Sequence, residues 1–139
     1  MSAKDRFHDA VKTALQKDGW VITDDPLYIP LERITGMYID LAAEKLVVAD
    51  REGQKIAVEV KSFLAPSTMS EFHTAIGQFI NYRYALADYQ PERVLYLAVP
   101  LTTYQDFFTT PFIKSVIQRS QINLLIFNPA TEEIVQWQS

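Results

Sequence analysis

The sequence predicts an α/β chain built on a central mixed β-sheet flanked by helices. Short apolar runs with strand patterning recur along it, among them Ile56 to Phe63, Arg93 to Val99 and Ile122 to Phe127. Segments with apolar residues at helical spacing separate them, one near the N-terminus and one after Thr68. The resulting order is helix, strand, strand, strand, helix, strand, helix, strand, with no repeat, low-complexity tract or linker. A length of 139 residues fits one compact domain, taken as residues 1–139.

Asp5 to about Lys17 is the first helix, because Phe7, Ala10, Val11, Ala14 and Leu15 share one side and Asp18-Gly19 ends it. Trp20 to Thr23 is a short strand stopped by Asp24-Asp25-Pro26. Leu27 to Leu31 is extended with prolines nearby, which favours an edge or a loop. Met37 to Leu41 begins another extended stretch. Lys45 to Ala49 and Ile56 to Phe63 form a hairpin whose turn is Asp50-Arg51-Glu52-Gly53, with Gly53 suited to a positive φ. Thr68-Met69-Ser70-Glu71 matches a capping box opening a long helix to about Ala87. Its apolar side carries Phe72, Ile76, Phe79 and Ile80. Arg93 to Val99 is a central strand. Pro111 to Arg119 is helical with proline in its first turn. Ile122 to Phe127 is a buried strand and Glu133 to Gln138 a short final one.

Composition narrows the function classes. Hydrophobic residues at 48% and charged residues at 22% are those of a folded globular chain. No run of about 18 apolar residues exists, so no membrane association is expected. The N-terminus lacks an apolar signal core, and zero cysteines exclude a disulfide framework and any Cys-based zinc site. A cytoplasmic location is the expectation. The net charge of −4 argues against strong non-specific binding to nucleic acid. Affinity for DNA would then need a homodimer, a bound metal or a partner protein.

The chemistry concentrates in Ile56-Ala57-Val58-Glu59-Val60-Lys61-Ser62. Strand alternation puts Glu59 and Lys61 on one face and Val58 and Val60 on the other. A charge in an apolar strand must be paired or metal-bound to be tolerated. Glu-x-Lys is therefore a structural ion pair, the exposed face of an antiparallel strand, or a reaction centre. Phosphodiester cleavage needs an activated water and a stabilised leaving oxygen, which Mg²⁺ held by two or three carboxylates supplies. Glu59 offers one ligand, and Lys61 an ammonium to orient the water. The second acid is Asp40, Glu44 or Asp50. A two-residue turn at Gly53-Gln54 puts Val48 opposite Glu59, with Glu44 and Asp50 on the Glu59 face; a bulge at Gly53 reverses those faces. Asp40 reaches the site only if the chain bends near Ala42-Ala43, and Asp50 at the turn is expected to be solvated. Gln78 and Tyr82, four apart on the long helix, could meet a phosphate, a metal-bound water or a base, or simply pack on the sheet.

Asp40-Leu41, Ala57-Val58-Glu59-Val60-Lys61 and Gln78-x-x-x-Tyr82 together resemble the PD-(D/E)xK nuclease superfamily, in its variant with a Gln-x-x-x-Tyr helix. The wider chain is similar to the XisH family, the fdxN-element excision controlling factors of cyanobacteria. The segments that carry this likeness are Gly19 to Pro26, Tyr38 to Lys45, Ile56 to Phe63, Gly77-Gln78, Arg93 to Val99 and Ile134 to Trp137. The resemblance implies a restriction-endonuclease-like core and a part in programmed DNA excision during heterocyst development. It implies a site-specific recombinase in the same pathway and a small companion protein, XisI. It gives Asp40 the part of the first acid, Glu59 the second, Lys61 the lysine and Gln78 the helix glutamine, with Mg²⁺ or Mn²⁺ as cofactor. Tyr82 is the expected nucleic-acid contact. The chain departs from the pattern at Ile39, where proline would precede the acid, and in its long interval from Asp40 to Glu59, which keeps Glu44 open as a ligand. Some relatives add a carboxylate from the first helix. Asp9 is the nearest match, against a solvated helix face. The alternative is a non-catalytic recombination accessory or interaction module acting with an XisI-like partner. His8 and His73 lack metal-ligand spacing and are expected at the surface or in packing; Trp20 and Trp137 are expected in the core.

Overall fold

A computed structural model describes residues 5–47 and 50–139. Helix α1 (His8–Lys17) precedes strands β1 (Val21–Asp24), β2 (Leu27–Leu31), β3 (Ile34–Ile39), β4 (Leu41–Val47) and β5 (Asp50–Val60). The long helix α2 (Thr68–Tyr89) leads to β6 (Arg93–Pro100). A short turn of helix α3 (Leu101–Thr103), a π-helical turn at Tyr104–Phe108 and α4 (Pro111–Arg119) follow, then β7 (Leu124–Asn128) and β8 (Glu133–Gln138).

Six strands form one mixed sheet in the order β1-β4-β5-β6-β7-β8, and β2 pairs with β3 in a separate two-stranded sheet. The β4–β5 hairpin is antiparallel, whereas β5–β6 and β6–β7 are parallel because α2 and α3–α4 cross over between them. The sheet is packed on both faces. Ala42, Ala57, Leu97 and Ile126 belong to a core with Phe72, Phe79 and Leu86 of α2 and Ile113 and Ile117 of α4. Val58, Val60, Ala98 and Leu125 belong to a second core with Val11 and Leu15 of α1. The expected central strand at Arg93 to Val99 is central, and α4 and β8 have their expected bounds.

Several local expectations are corrected. The hairpin turn is not at Asp50 to Gly53. Val47 pairs with Asp50, and residues 48 and 49 lie outside the described residues. Gly53 does take a positive φ of 72°, inside β5. There the register slips, between the Lys45–Gln54 and Val47–Asp50 pairs, so the glycine serves a bulge. Helix α2 is capped one residue earlier than expected, by Ser67, whose Oγ accepts from the Ser70 N–H at 3.1 Å. Helix α1 starts at His8 because the Asp5 side chain instead accepts the Phe7 and Ser62 N–H groups, each at 2.9 Å. Strand β3 begins at Ile34, before Met37, and packs so closely on β2 that a Cβ on Gly36 would stand 2.5 Å from the Tyr28 ring. Proline tolerance explains β2: Pro30 sits where the β2–β3 register shifts, between Ile29 and Leu31. The helical stretch from Leu101 to Phe108 has no periodic signal long enough to announce it.

Candidate metal centre

Asp40 stands at the corner where the chain leaves β3, in the small sheet, and enters β4, in the large one. The expected bend near Ala42-Ala43 is at Asp40 itself; both alanines are in ladder register, opposite Ala57 and Ile56. The pairing of Leu41 with Val58 then sets Asp40 beside Glu59. The Asp40 N–H donates to Glu59 Oε1 at 3.4 Å, and Asp40 Oδ2 accepts from the Val60 N–H at 2.8 Å. Backbone and carboxylates are thus locked together at the end of the hairpin. Lys61 follows, its N–H donating to the Ala98 carbonyl and its Nζ lying 3.7 Å from Glu59 Oε2.

Glu59 is 6% exposed, and two carboxyl groups here face each other with one ammonium between them and neutrality. Burial pushes the Glu59 carboxyl up, the neighbouring Asp40 charge pushes it further, and Lys61 only partly offsets them; it reaches about 8. Burial also raises Asp40, against the Val60 N–H and the His8 imidazole. The two carboxyls act on one another, the Asp40 charge helping to push Glu59 up. Ionising both places two negative charges at one corner with only the Lys61 ammonium beside them, which a further cation would relieve.

Helix α2 closes the site from the side on which Glu59 points. Burial pushes the Tyr82 hydroxyl up to about 12, with the Glu59 and Asp40 charges adding to it, which places the phenol within their field. Gln78, one turn away, shares that helix face, and its Oε1 is buried with no hydrogen-bond partner. Asp40, Glu59, Lys61 and Tyr82 therefore come together, with Gln78 on the adjoining turn.

Glu44 does not join them. It lies on the Glu59 face, as the two-residue turn required, but through the pairing of Glu44 with Lys55 rather than of Val48 with Glu59. Four residues along β4 from Asp40 is roughly 13 Å. There Glu44 pairs with Lys55 at 3.9 Å in solvent. The Asp50 side chain lies outside the described residues. Asp9 is exposed on α1 and interacts with the Lys12 charge.

His8 of the first helix is in packing, the buried one of the two roles expected for it. It is 3% exposed, with Nε2 2.6 Å from Asp25 Oδ1 and Nδ1 3.9 Å from Asp40 Oδ1. Lys12, one turn on, donates to Asp25 Oδ2 at 2.8 Å. Burial acts to raise Asp25, but the hydrogen bonds from Lys12 and His8 outweigh it and hold the carboxyl below its ordinary range. The sequence signal was faint: His8 and Lys12 are four apart, and their partner follows seventeen residues after His8 in the turn before Pro26. His73 is exposed as expected, and Trp20 is buried against Trp137 with ring centroids 5.6 Å apart.

A divalent cation fits this donor set. The buried Glu59 carboxyl and the half-buried Asp40 carboxyl share the single ammonium of Lys61, and the buried oxygen of Gln78 lacks a donor. Among the described residues no three His, Asp or Glu side chains already form a ligand set. An ion here would take Asp40 and Glu59 and fill its shell largely with water, as Mg²⁺ does. No helix among the described residues is long and apolar enough to cross a membrane.

The model of the XisH protein family matches residues 1–135. The chain is similar to an XisH family protein from Nostoc punctiforme PCC 73102, whose crystal structure is 55% identical with a TM-score of 0.86, covering 97% of this chain and 100% of that one. It is also similar to a crystal structure of an fdxN element excision controlling factor protein from Anabaena variabilis, at 54% identity and a TM-score of 0.85, covering 96% of this chain and 98% of that one. No curated protein matches. With a family model over nearly the whole chain and two relatives above half identity, the chain belongs to the XisH family.

Proposed function

We propose that this protein acts in the excision of a DNA element, as a metal-dependent endonuclease or DNA-binding protein with a PD-(D/E)xK-type site in a restriction-endonuclease-like core. The Anabaena variabilis relative is named for control of fdxN element excision, which supports the pathway. One observation carries the chemistry: Asp40, Glu59 and Lys61 converge in one corner, where two neighbouring carboxyls face a single ammonium. Asp40 and Glu59 are the residues to hold Mg²⁺ or Mn²⁺. Bound there, the ion supplies Lewis acidity and a water of lowered pKa. Lys61 would position the attacking water and offset charge on the phosphate, Gln78 would assist with its free amide oxygen, and the protonated Tyr82 would donate to the nucleic-acid backbone or stack on a base. DNA, an XisI-like companion and a site-specific recombinase are the partners of this reading.

Plasmid nicking in Mg²⁺ and in Mn²⁺, wild type beside Glu59→Ala, tests it. Metal-dependent nicking that the variant loses supports the nuclease. Nicking that survives in Glu59→Ala removes this site from the reaction.

A second reading has one observation in its favour. The net charge of −4 gives little electrostatic attraction for DNA. A nuclease-like fold acting as a non-catalytic accessory beside an XisI-like partner needs none. No heat of Mg²⁺ or Mn²⁺ binding at millimolar concentration, together with no nicking, would select this reading.

A further inference from the structure

Beyond the end of α1 at Lys17, the α1 face of the sheet opens into a cavity of about 830 Å³, within the roughly 300–1,000 Å³ of small-ligand sites. Both tryptophans of the chain line it. Trp20 is buried with its ring centroid 5.6 Å from that of Trp137, and Trp137 stands edge-on to Tyr96 at 4.9 Å and 79°. Trp137 and Tyr96 are only half-buried, so two nearly perpendicular rings form a notch with part of each open to solvent. Val94, 46% exposed, continues its apolar lining. Lys45 overhangs the notch, its Nζ 5.8 Å from the Trp20 ring centroid and donating to the Asp18 carbonyl at 2.7 Å. The Asp18 carboxylate is already taken, by Trp20 Nε1 at 3.2 Å and by Lys45 at 3.6 Å. Two lysines and two acids line the cavity in all, so it carries little net field.

We infer that this notch binds an unpaired nucleobase of single-stranded DNA, stacked in the corner of Trp137 and Tyr96 with its phosphate toward Lys45. Stacking on aromatic rings holds a base by its π-face, whatever its identity, and needs no dense positive charge. It is therefore the nucleic-acid contact open to a chain of net charge −4, which lacks a strong electrostatic grip on the backbone. An apolar side chain of a protein partner would use the rings and leave the Lys45 ammonium idle, whereas a base with its phosphate uses both. A duplex keeps its base faces stacked on each other and does not enter. The inference rests on the DNA-handling reading proposed above. It adds a contact on the α1 face of the sheet, opposite the face on which Glu59 meets α2.

Titrating the full chain, in chelator, with a single strand of about 12 thymidines tests it, read by tryptophan fluorescence because both tryptophans line the notch. The single strand should quench the emission, and the same strand paired with its complement should not. Trp137→Leu should weaken binding of a dye-labelled strand by roughly 5–150-fold, and Tyr96→Leu by a similar factor. Affinity should fall with salt along a shallow logarithmic slope of about −0.7, the signature of one phosphate contact, and Lys45→Ala should flatten it. If one ring variant does not fold by circular dichroism, the other and the wild-type quenching still decide. No binding of the strand at about 100 μM, or binding that leaves the emission unchanged, overturns the inference. Equal quenching by the duplex overturns it too. Emission that shifts with protein concentration alone assigns the notch to a second copy of the chain and overturns it as well. None of these readouts uses the acid corner, so they fail separately from the nicking assay.

Discussion

Two acid–lysine pairs lie on the same strand pair and the same face of the sheet. Glu44 and Lys55 are 3.9 Å apart with side chains 45% and 39% exposed; Glu59 and Lys61 are 3.7 Å apart with side chains 7% and 19% exposed. The distances hardly differ, so distance cannot be what separates a surface ion pair from a candidate site. Burial and a third charge do. The Glu44 pair keeps its water, and its attraction is worth about 0–1 kcal/mol. The Glu59 pair has lost its water and gained a second carboxyl, Asp40, so one lysine must balance two acids. An exposed pair is satisfied as it stands, whereas the buried corner is left seeking a cation or a proton.

The largest effect should separate the two lysines. On the nuclease reading, Lys61→Ala lowers metal-dependent nicking on the order of 10²-fold or more while the fold persists. Lys55→Ala leaves nicking within about twofold, because its charge is solvated and roughly 13 Å along the strand from the acids. Equal losses in the two variants would mean that the lysines act through general charge on DNA, not through position.

The next effect is on stability and depends on pH. Glu59 ordinarily ionises near 4.5 but is held up to about 8 in the folded chain. Below about pH 4.5 both folded and unfolded chains carry the proton, and the burial costs little. Between 4.5 and 8 the unfolded chain binds fewer protons than the folded one, so stability falls as pH rises and has fallen fully above 8. Glu59→Gln, permanently neutral, should escape this loss. In chelator it should be more stable than wild type at pH 9, by on the order of 2–4 kcal/mol, and close to wild type at pH 5. Thermal melts across that range check it; a variant less stable than wild type at pH 9 breaks the contrast with the surface pair.

The sequence disclosed the two pairs unevenly. Alternation in β5 placed Glu59 and Lys61 on one face without help from the rest of the chain, because a strand's period of two is local information. The second acid needed the register, and the register depended on a bulge at Gly53 that spacing alone left open. The corner at Asp40 was less legible still, since it arises where two sheets meet and no short pattern encodes such a meeting. The surroundings of His8 were illegible for the same reason: Asp25 and Asp40 are brought to it by the fold from later strands and turns. The helices α1, α2 and α4 and the strands β1, β6 and β8, by contrast, followed from apolar periodicity, whereas β4 runs Leu41–Val47 and not Lys45 to Ala49.

The smallest effect is the control on which the comparison depends. Glu44→Gln should change stability by less than about 0.5 kcal/mol at any pH between 5 and 9, and a double-mutant cycle with Lys55→Ala should yield a coupling of roughly 0.2–0.5 kcal/mol. Added salt should shrink it further, since exposed charges are screened within a Debye length of about 8–10 Å. The same cycle on Glu59 and Lys61 should yield a larger, salt-insensitive coupling, because little water or salt reaches either group. A Glu44–Lys55 coupling above about 1 kcal/mol would show that the surface pair is held more rigidly than its exposure implies. Burial would then no longer be what distinguishes the two ends of the hairpin, and Glu44 would return as a rival to Asp40.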